Sequence, residues 1–189
     1  MKQAKVLSDQ ELKRVLAVVQ QGRHSARNRL AIMLSHFAGL RVGEIAQLRW
    51  GDVLGSDGQL LDRITLRPET TKGRKGRTVF LCEKLARELR RYHVEANVTV
   101  EAHRPLLLTQ KRTAFTPNTL CQLMGEMYRA AGVQGASSHS GRRWFITQLA
   151  HKGISAKVIM TLAGHRHLTT TQRYIDVNDQ MMRSAVDVL

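Results

Sequence analysis

Apolar residues recur at helical spacing along almost the whole of this chain, and the pattern breaks over one interval, Leu60 to Leu81. Leu12, Val15, Leu16 and Val19 mark one helix face. Leu30, Met33, Leu34 and Phe37 mark another at i, i+3, i+4, i+7. The first helix opens on Ser8 and Glu11 at capping-box spacing, with Leu7 placed to staple against Leu12. Gly39 reads as the C-cap of the second, and a short helix runs from Val42 to about Leu48. Inside the interval, Leu60 to Leu66 and Thr78 to Leu81 read as two short strands joined by a basic, glycine-containing hairpin loop, Pro68 to Arg77. Helical spacing then returns, first around Leu85, Leu89 and Tyr92, then from Thr116-Pro117 to Gly132. Further helices are expected from Gly141 to Lys152, from Ala156 to Ala163, and after Asn178 through Met181, Met182, Ala185 and Val188. Such a chain folds as a mainly α domain with a small antiparallel β-sheet. No repeat or interdomain linker interrupts it, so residues 1–189 are expected to form one domain.

Charge narrows what such a domain does. Thirty Lys and Arg stand against fifteen Asp and Glu, a formal charge of +15, with a pI near 10.9. In a folded domain that excess points first to nucleic acid, and only second to an anionic membrane surface. No apolar run approaches the roughly 18–20 residues needed to span a bilayer, and no signal peptide opens the chain. Cys82 and Cys121 form no metal-like pair, which suits a reduced, cytoplasmic compartment.

The distribution of acids is more telling than their number. No Asp or Glu occurs between Met127 and Ile175, a stretch holding His139, Arg142, His165 and Tyr174. Cations, proton donors and a phenol without a carboxylate suit a site that receives an anion. Arg41 and Glu44, three apart, either brace one another on one helix face or form a plain surface ion pair. Lys72, Arg74, Lys75 and Arg77 crowd the hairpin, where glycines permit close approach to a phosphate backbone; a solvated basic turn is the alternative. His139 and Arg142 fall in the first turn of a helix whose N-terminus itself favours anions. Tyr174 alone reads as core packing far more readily than as a nucleophile. His165 and His167 lack a third ligand at suitable spacing, so a zinc site is not expected.

In order and spacing, Arg41, Lys72 in a hairpin, His139-x-x-Arg142, and Gly164-His165 followed by Tyr174 together resemble the catalytic domain of the tyrosine recombinases, the phage integrase family. The resemblance runs from about Leu7 to Asn178 and implies the catalytic core of a DNA breaking-rejoining enzyme. It implies Tyr174 as the nucleophile that attacks a scissile phosphate, leaving a 3′-phosphotyrosyl link and a free 5′-hydroxyl. Arg41 and Arg142 match the arginines on the non-bridging oxygens, and Lys72 the lysine that protonates the leaving oxygen. His139 matches the residue assisting proton transfer, His165 the second histidine, and Glu44 the acid supporting Arg41. Arg74, Lys75, Arg77, Arg143 and Arg173 are expected to contact DNA. Neither metal nor ATP is implied, because the phosphodiester energy is kept in the protein–DNA bond.

Two departures accompany the match. Gly141 stands where the family usually has leucine, and Arg143 where it has a second histidine. Relatives also carry a helical core-binding domain before this one. The short lead here is read as an excised catalytic domain or, preferably, as a short member of the kind that inverts DNA segments. The resemblance further implies a homo-tetramer on synapsed DNA, a DNA-bending accessory protein, and a bacterial or mobile-element origin. The C-terminal helix, with Met181, Met182, Val186, Val188 and Leu189, is expected to pack on a neighbouring protomer or on its own core. Type IB topoisomerase-like relaxation and a catalytically inactive DNA-binding regulator are the alternative functions.

Overall fold

A computed structural model describes residues 4–70, 76–96, 101–175 and 179–187. Lys72, Arg74, Lys75, Val188 and Leu189 lie outside the described residues, as does the side chain of Met181. Helices α1 (Asp9–Gln20), α2 (Ser25–Phe37) and α3 (Val42–Ala46) precede a hairpin of β1 (Arg63–Leu66) and β2 (Arg77–Phe80). After it come α4 (Glu83–Ala96), α5 (Pro117–Ala130), α6 (Ser140–His151), α7 (Ala156–Ala163), α8 (Leu168–Gln172) and α9 (Asp179–Val186).

The local signals act as their chemistry dictates. Glu11 N donates to Ser8 Oγ at 3.2 Å while Ser8 N donates to Glu11 Oε2 at 2.9 Å, closing the capping box of α1. Leu7 and Leu12 are both buried beside it. The strands pair antiparallel with Arg63 opposite Phe80 and Leu66 opposite Arg77. Ile64, Leu66 and Val79 enter the core while Arg63 crosses the exposed Phe80 ring at 5.4 Å. The first strand is shorter than its apolar run: Leu60 bridges Leu54 and Leu61 N donates to Val53 O, so those residues pair with the preceding turn rather than with β2. Helix α8, with its run of three threonines, carries no apolar repeat that announces it.

Two apolar clusters result. The larger gathers α1, α2, α5, β1 and the start of α4. The smaller holds Ile146, Ala150, Ile159 and Ala163, with Phe145, Leu149, Tyr174 and Ile175 against it. Helix α6 belongs to both, sending Trp144 to the first and Ile146 to the second. It crosses α2 closely at Gly141, where a Cβ would collide with the side chains of Ser35 and His36. That contact gives a physical reason for glycine where the family has leucine: α2 already fills the space.

His36 is 0% exposed, with its ring 5.7 Å from Trp144 and 6.5 Å from Tyr128. Its Nδ1 hydrogen-bonds Ile32 O at 2.9 Å, and burial pushes its pKa down to about 4. The folded state therefore resists protonating it, whereas the unfolded chain takes up the proton near 6.5. Stability from this source is complete above pH 6.5 and falls as pH drops toward 4, by at most about 3 kcal/mol. His36→Leu is expected to flatten the pH dependence of denaturant midpoints across that window. A variant that loses stability on acidification as steeply as wild type would exclude His36 as the cause.

Candidate active site

Four segments meet where the two clusters join: the α2–α3 turn, strand β2, the start of α6, and the turn from α7 through α8 to Tyr174. Arg41 is the N-cap of α3 in an extended conformation, with φ −73° and ψ 150°. Glu44, three residues on, reaches back to accept from Arg41 N and from Arg41 Nη1, both at 2.8 Å. The brace between them is therefore a buried one, with Glu44 only 2% exposed. Burial would push this carboxyl up; Arg77 first, then Arg41, more than reverse that and hold it below the ordinary carboxylate value.

Arg77 donates Nη2 to Glu44 Oε2 at 2.8 Å and Nη1 to Leu162 O at 2.5 Å. It lies under the end of α7, where Gly164 caps the helix at φ +63°. A Cβ at 164 would sit 2.5 Å from Arg77 Cδ, so both the left-handed turn and the packing require glycine.

Arg142 is 6% exposed and is pinned between two carbonyls, donating Nη1 to Gly39 O at 2.6 Å and Nη2 to Ala163 O at 2.5 Å. Arg41 Nη2 approaches the next carbonyl, Gly164 O, at 3.3 Å. Burial, then the charges of Arg41 and Arg77, lower the Arg142 pKa to about 9. His165 falls to about 4 through burial first, then Arg142, Arg41 and Arg77, and is neutral at physiological pH. Its Nδ1 hydrogen-bonds the buried Thr171 Oγ1 at 2.8 Å, and its ring stacks on Tyr174 at 5.9 Å and 19°. Arg143 places its guanidinium 5.3 Å from the centre of the Tyr174 ring. Tyr174 is half-buried, its ring against the smaller cluster. Three guanidinium groups thus face one carboxylate, and a bound monoanion would relieve their mutual repulsion.

Residues 5–181 match the phage integrase family. The chain belongs to that family. Its phage integrase relatives include the protein named tyrosine recombinase XerA of Thermococcus kodakarensis, 33% identical over 184 residues, covering 96% of this chain and 61% of the relative. XerA of Pyrococcus furiosus is 29% identical over 188 residues, covering 97% of this chain and 61% of its own. The chain therefore spans about three fifths of the length of these curated relatives. Among solved structures, XerH recombinase bound to a palindromic difH substrate, in a post-cleavage complex, aligns with a TM-score of 0.73 at 26% identity, over 97% of this chain and 52% of that one. The XerA recombinase crystal structure shares the fold, with a TM-score of 0.77 at 24% identity over 98% of this chain and 63% of that one.

Within this phage integrase fold, Arg41, Glu44, Arg142, His165 and Tyr174 join one set of contacts. His139, the N-cap of α6, has an exposed ring; its backbone accepts from Arg143 N at 3.0 Å and donates to Ser137 Oγ at 3.3 Å. Although His139 and Arg142 are one helical turn apart, the first faces solvent and the second is buried. Arg173 is exposed at the end of α8. Arg77, expected on the DNA-facing hairpin surface, is turned inward. Sequence reasoning missed Thr171 and the carbonyls of Gly39, Ala163 and Leu162. Backbone acceptors have no residue signature, and Thr171 is set apart from Thr169 and Thr170 by its burial and its bond to His165, neither of which a run of three threonines announces. Among the described residues no helix is long and apolar enough to cross a membrane, and no group of three or more His, Cys, Asp or Glu is placed to hold a metal.

Proposed function

We propose that this chain is a single catalytic domain that cuts and rejoins double-stranded DNA at specific sites through a 3′-phosphotyrosyl intermediate. The observation that carries the reading is the convergence of Arg41, Arg142 and the neutral His165 with Tyr174, where Glu44 is the carboxylate that braces Arg41. Arg41 and Arg142 bind the non-bridging oxygens of the scissile phosphate, their spare N–H groups opposing the charge that grows in the transition state. The Tyr174 oxygen forms a bond to phosphorus as the bond to the 5′-oxygen breaks. The phenol proton passes to His139, and Lys72 protonates the departing 5′-oxygen. Attack by a 5′-hydroxyl reverses the step and releases Tyr174, so the bond energy is conserved. Arg74, Lys75, Arg143 and Arg173 hold the flanking backbone by charge.

Thr171 sets the tautomer of His165 in this scheme. A hydroxyl donating to Nδ1 leaves the proton on Nε2, which then donates to a phosphate oxygen. Thr171→Val is expected to slow strand cleavage about tenfold with little effect on DNA affinity, the cost of misorienting one hydrogen bond to a charged group. Single-turnover cleavage beside an affinity titration checks it; an unchanged rate would remove Thr171 from the scheme.

Recombination by four copies on two synapsed duplexes, aided by a DNA-bending protein in the cytoplasm, extends the same proposal. Contact between copies is supported by α9, which leaves Met182 and Val186 exposed at 53% and 66%. The test of the function is covalent capture on nicked duplexes prepared from DNA flanking the gene. A denaturation-resistant adduct whose linked peptide contains Tyr174 supports the reading. Duplex binding without any adduct, across all flanking sequences, counts for the DNA-binding regulator instead.

A further inference from the structure

We propose that Arg77 is a positioning residue and not a DNA contact: it sets Arg41 through Glu44, and through Leu162 O and the face of Gly164 it holds the turn that carries His165. The inference rests on the strand-transfer reading above. An arginine serving a phosphate backbone presents its guanidinium to solvent, whereas the Arg77 side chain is 10% exposed and both terminal nitrogens are engaged inside the protein. Its partners lie 33 and 85 residues away, so one planar fork ties the hairpin to α3 and to the end of α7. The hairpin register fixes the root of the side chain, because Arg77 pairs with Leu66. Among the described residues Arg41 has little else to hold it: beyond Glu44 its contact to Gly164 O is a long 3.3 Å. Glu44 is thus shared by two arginines, and removing one frees the carboxylate to follow the other.

The fork matters as much as the charge. A lysine at 77 supplies a cation but cannot span Glu44 Oε2 and Leu162 O from fixed, coplanar nitrogens. Arg77→Gln is expected to lower the strand-cleavage rate at saturating DNA about 100-fold, as misplaced catalytic groups do. Affinity should change less than about threefold, with the salt dependence of binding unaltered. Arg77→Lys should recover only part of the rate, remaining about tenfold below wild type. A backbone contact behaves in the opposite way: both variants would cleave at the wild-type rate once saturated, and Arg77→Gln would lower the salt slope by about one. That pattern overturns the proposal.

Hydrogen exchange in the free protein gives a second readout independent of DNA. Gly164 N donates to Thr161 O and His165 N to Met160 O. In Arg77→Lys, these two amides should exchange about tenfold faster while the amides of α1 and α5 exchange as in wild type. Protection unchanged at Gly164 and His165 overturns the proposal, as does loss of protection everywhere, which would make Arg77 a general stability residue. If wild type itself forms no adduct on any duplex, strand transfer fails as the activity, and the exchange result alone decides whether Arg77 holds the turn.

Discussion

Tyr174→Phe is expected to abolish covalent capture of DNA while leaving duplex affinity within about twofold, because only one hydroxyl is removed. The ring itself is retained, and with it the stack on His165 at 5.9 Å, the Arg143 guanidinium at 5.3 Å and the packing on the smaller cluster. Binding therefore keeps its geometry while the nucleophile is gone. The two other tyrosines are poor substitutes. Tyr92 is half-buried and donates its hydroxyl to Leu106 O at 3.0 Å. Tyr128 is buried in the larger cluster, which drives its phenol pKa well above the usual value. An adduct formed by Tyr174→Phe at wild-type yield would show that another side chain attacks the phosphate. Absence of both adduct and binding would mean that the Tyr174 hydroxyl itself contacts DNA, a result that thermal unfolding of the variant separates from misfolding.

What could be read from the sequence, and what could not, divides along the range of the interactions. The capping box of α1 is local: Ser8 and Glu11 lie three apart, and each satisfies a backbone donor of the other. The Arg41–Glu44 brace is equally short-range, and its spacing alone presents both readings that were open, buried brace or surface pair. The environment decides between them, and Arg77, 33 residues further on, supplies that environment. No spacing rule connects Arg77 to Glu44 or Arg142 to the carbonyls of Gly39 and Ala163. In a basic hairpin of four cations, Arg77 looks like the others until its strand register is known. Gly141 is legible as a departure from the family but not as a consequence of Ser35 and His36, which sit on a helix more than a hundred residues earlier. The apolar run at Leu60 extends past the paired strand because apolar alternation does not name the partner. Helix α8 has the opposite difficulty, being five residues long and rich in threonine, a weak helix former.

Glu44→Gln is expected to cost about 3–5 kcal/mol of stability, the range for removing one partner from a buried ion pair. For a domain of this size that lowers the melting temperature by about 10 °C. The carboxamide keeps the shape and accepts one hydrogen bond, so a smaller packing defect is not the cause. What is lost is the one negative charge facing Arg41 and Arg77, both 2.8 Å from it, with Arg142 close enough for their charges to lower its pKa. The folded state of the variant holds these cations uncompensated. Acid has the same effect on wild type: the Glu44 pKa is depressed, so its contribution is full above the unfolded carboxylate pKa and is lost as pH falls toward the folded one. A bound phosphodiester supplies the missing charge. Saturating duplex DNA should therefore raise the melting temperature of Glu44→Gln by more than it raises that of wild type, narrowing the gap between them. Parallel shifts in the two proteins would mean that the DNA phosphate does not offset the charge of this arginine cluster. A melting temperature within about 2 °C of wild type without DNA would mean that solvent already screens the cluster. Cleavage should stay low in Glu44→Gln even where DNA restores the fold, because the charge of the phosphate replaces that of Glu44 but not its two hydrogen bonds to Arg41.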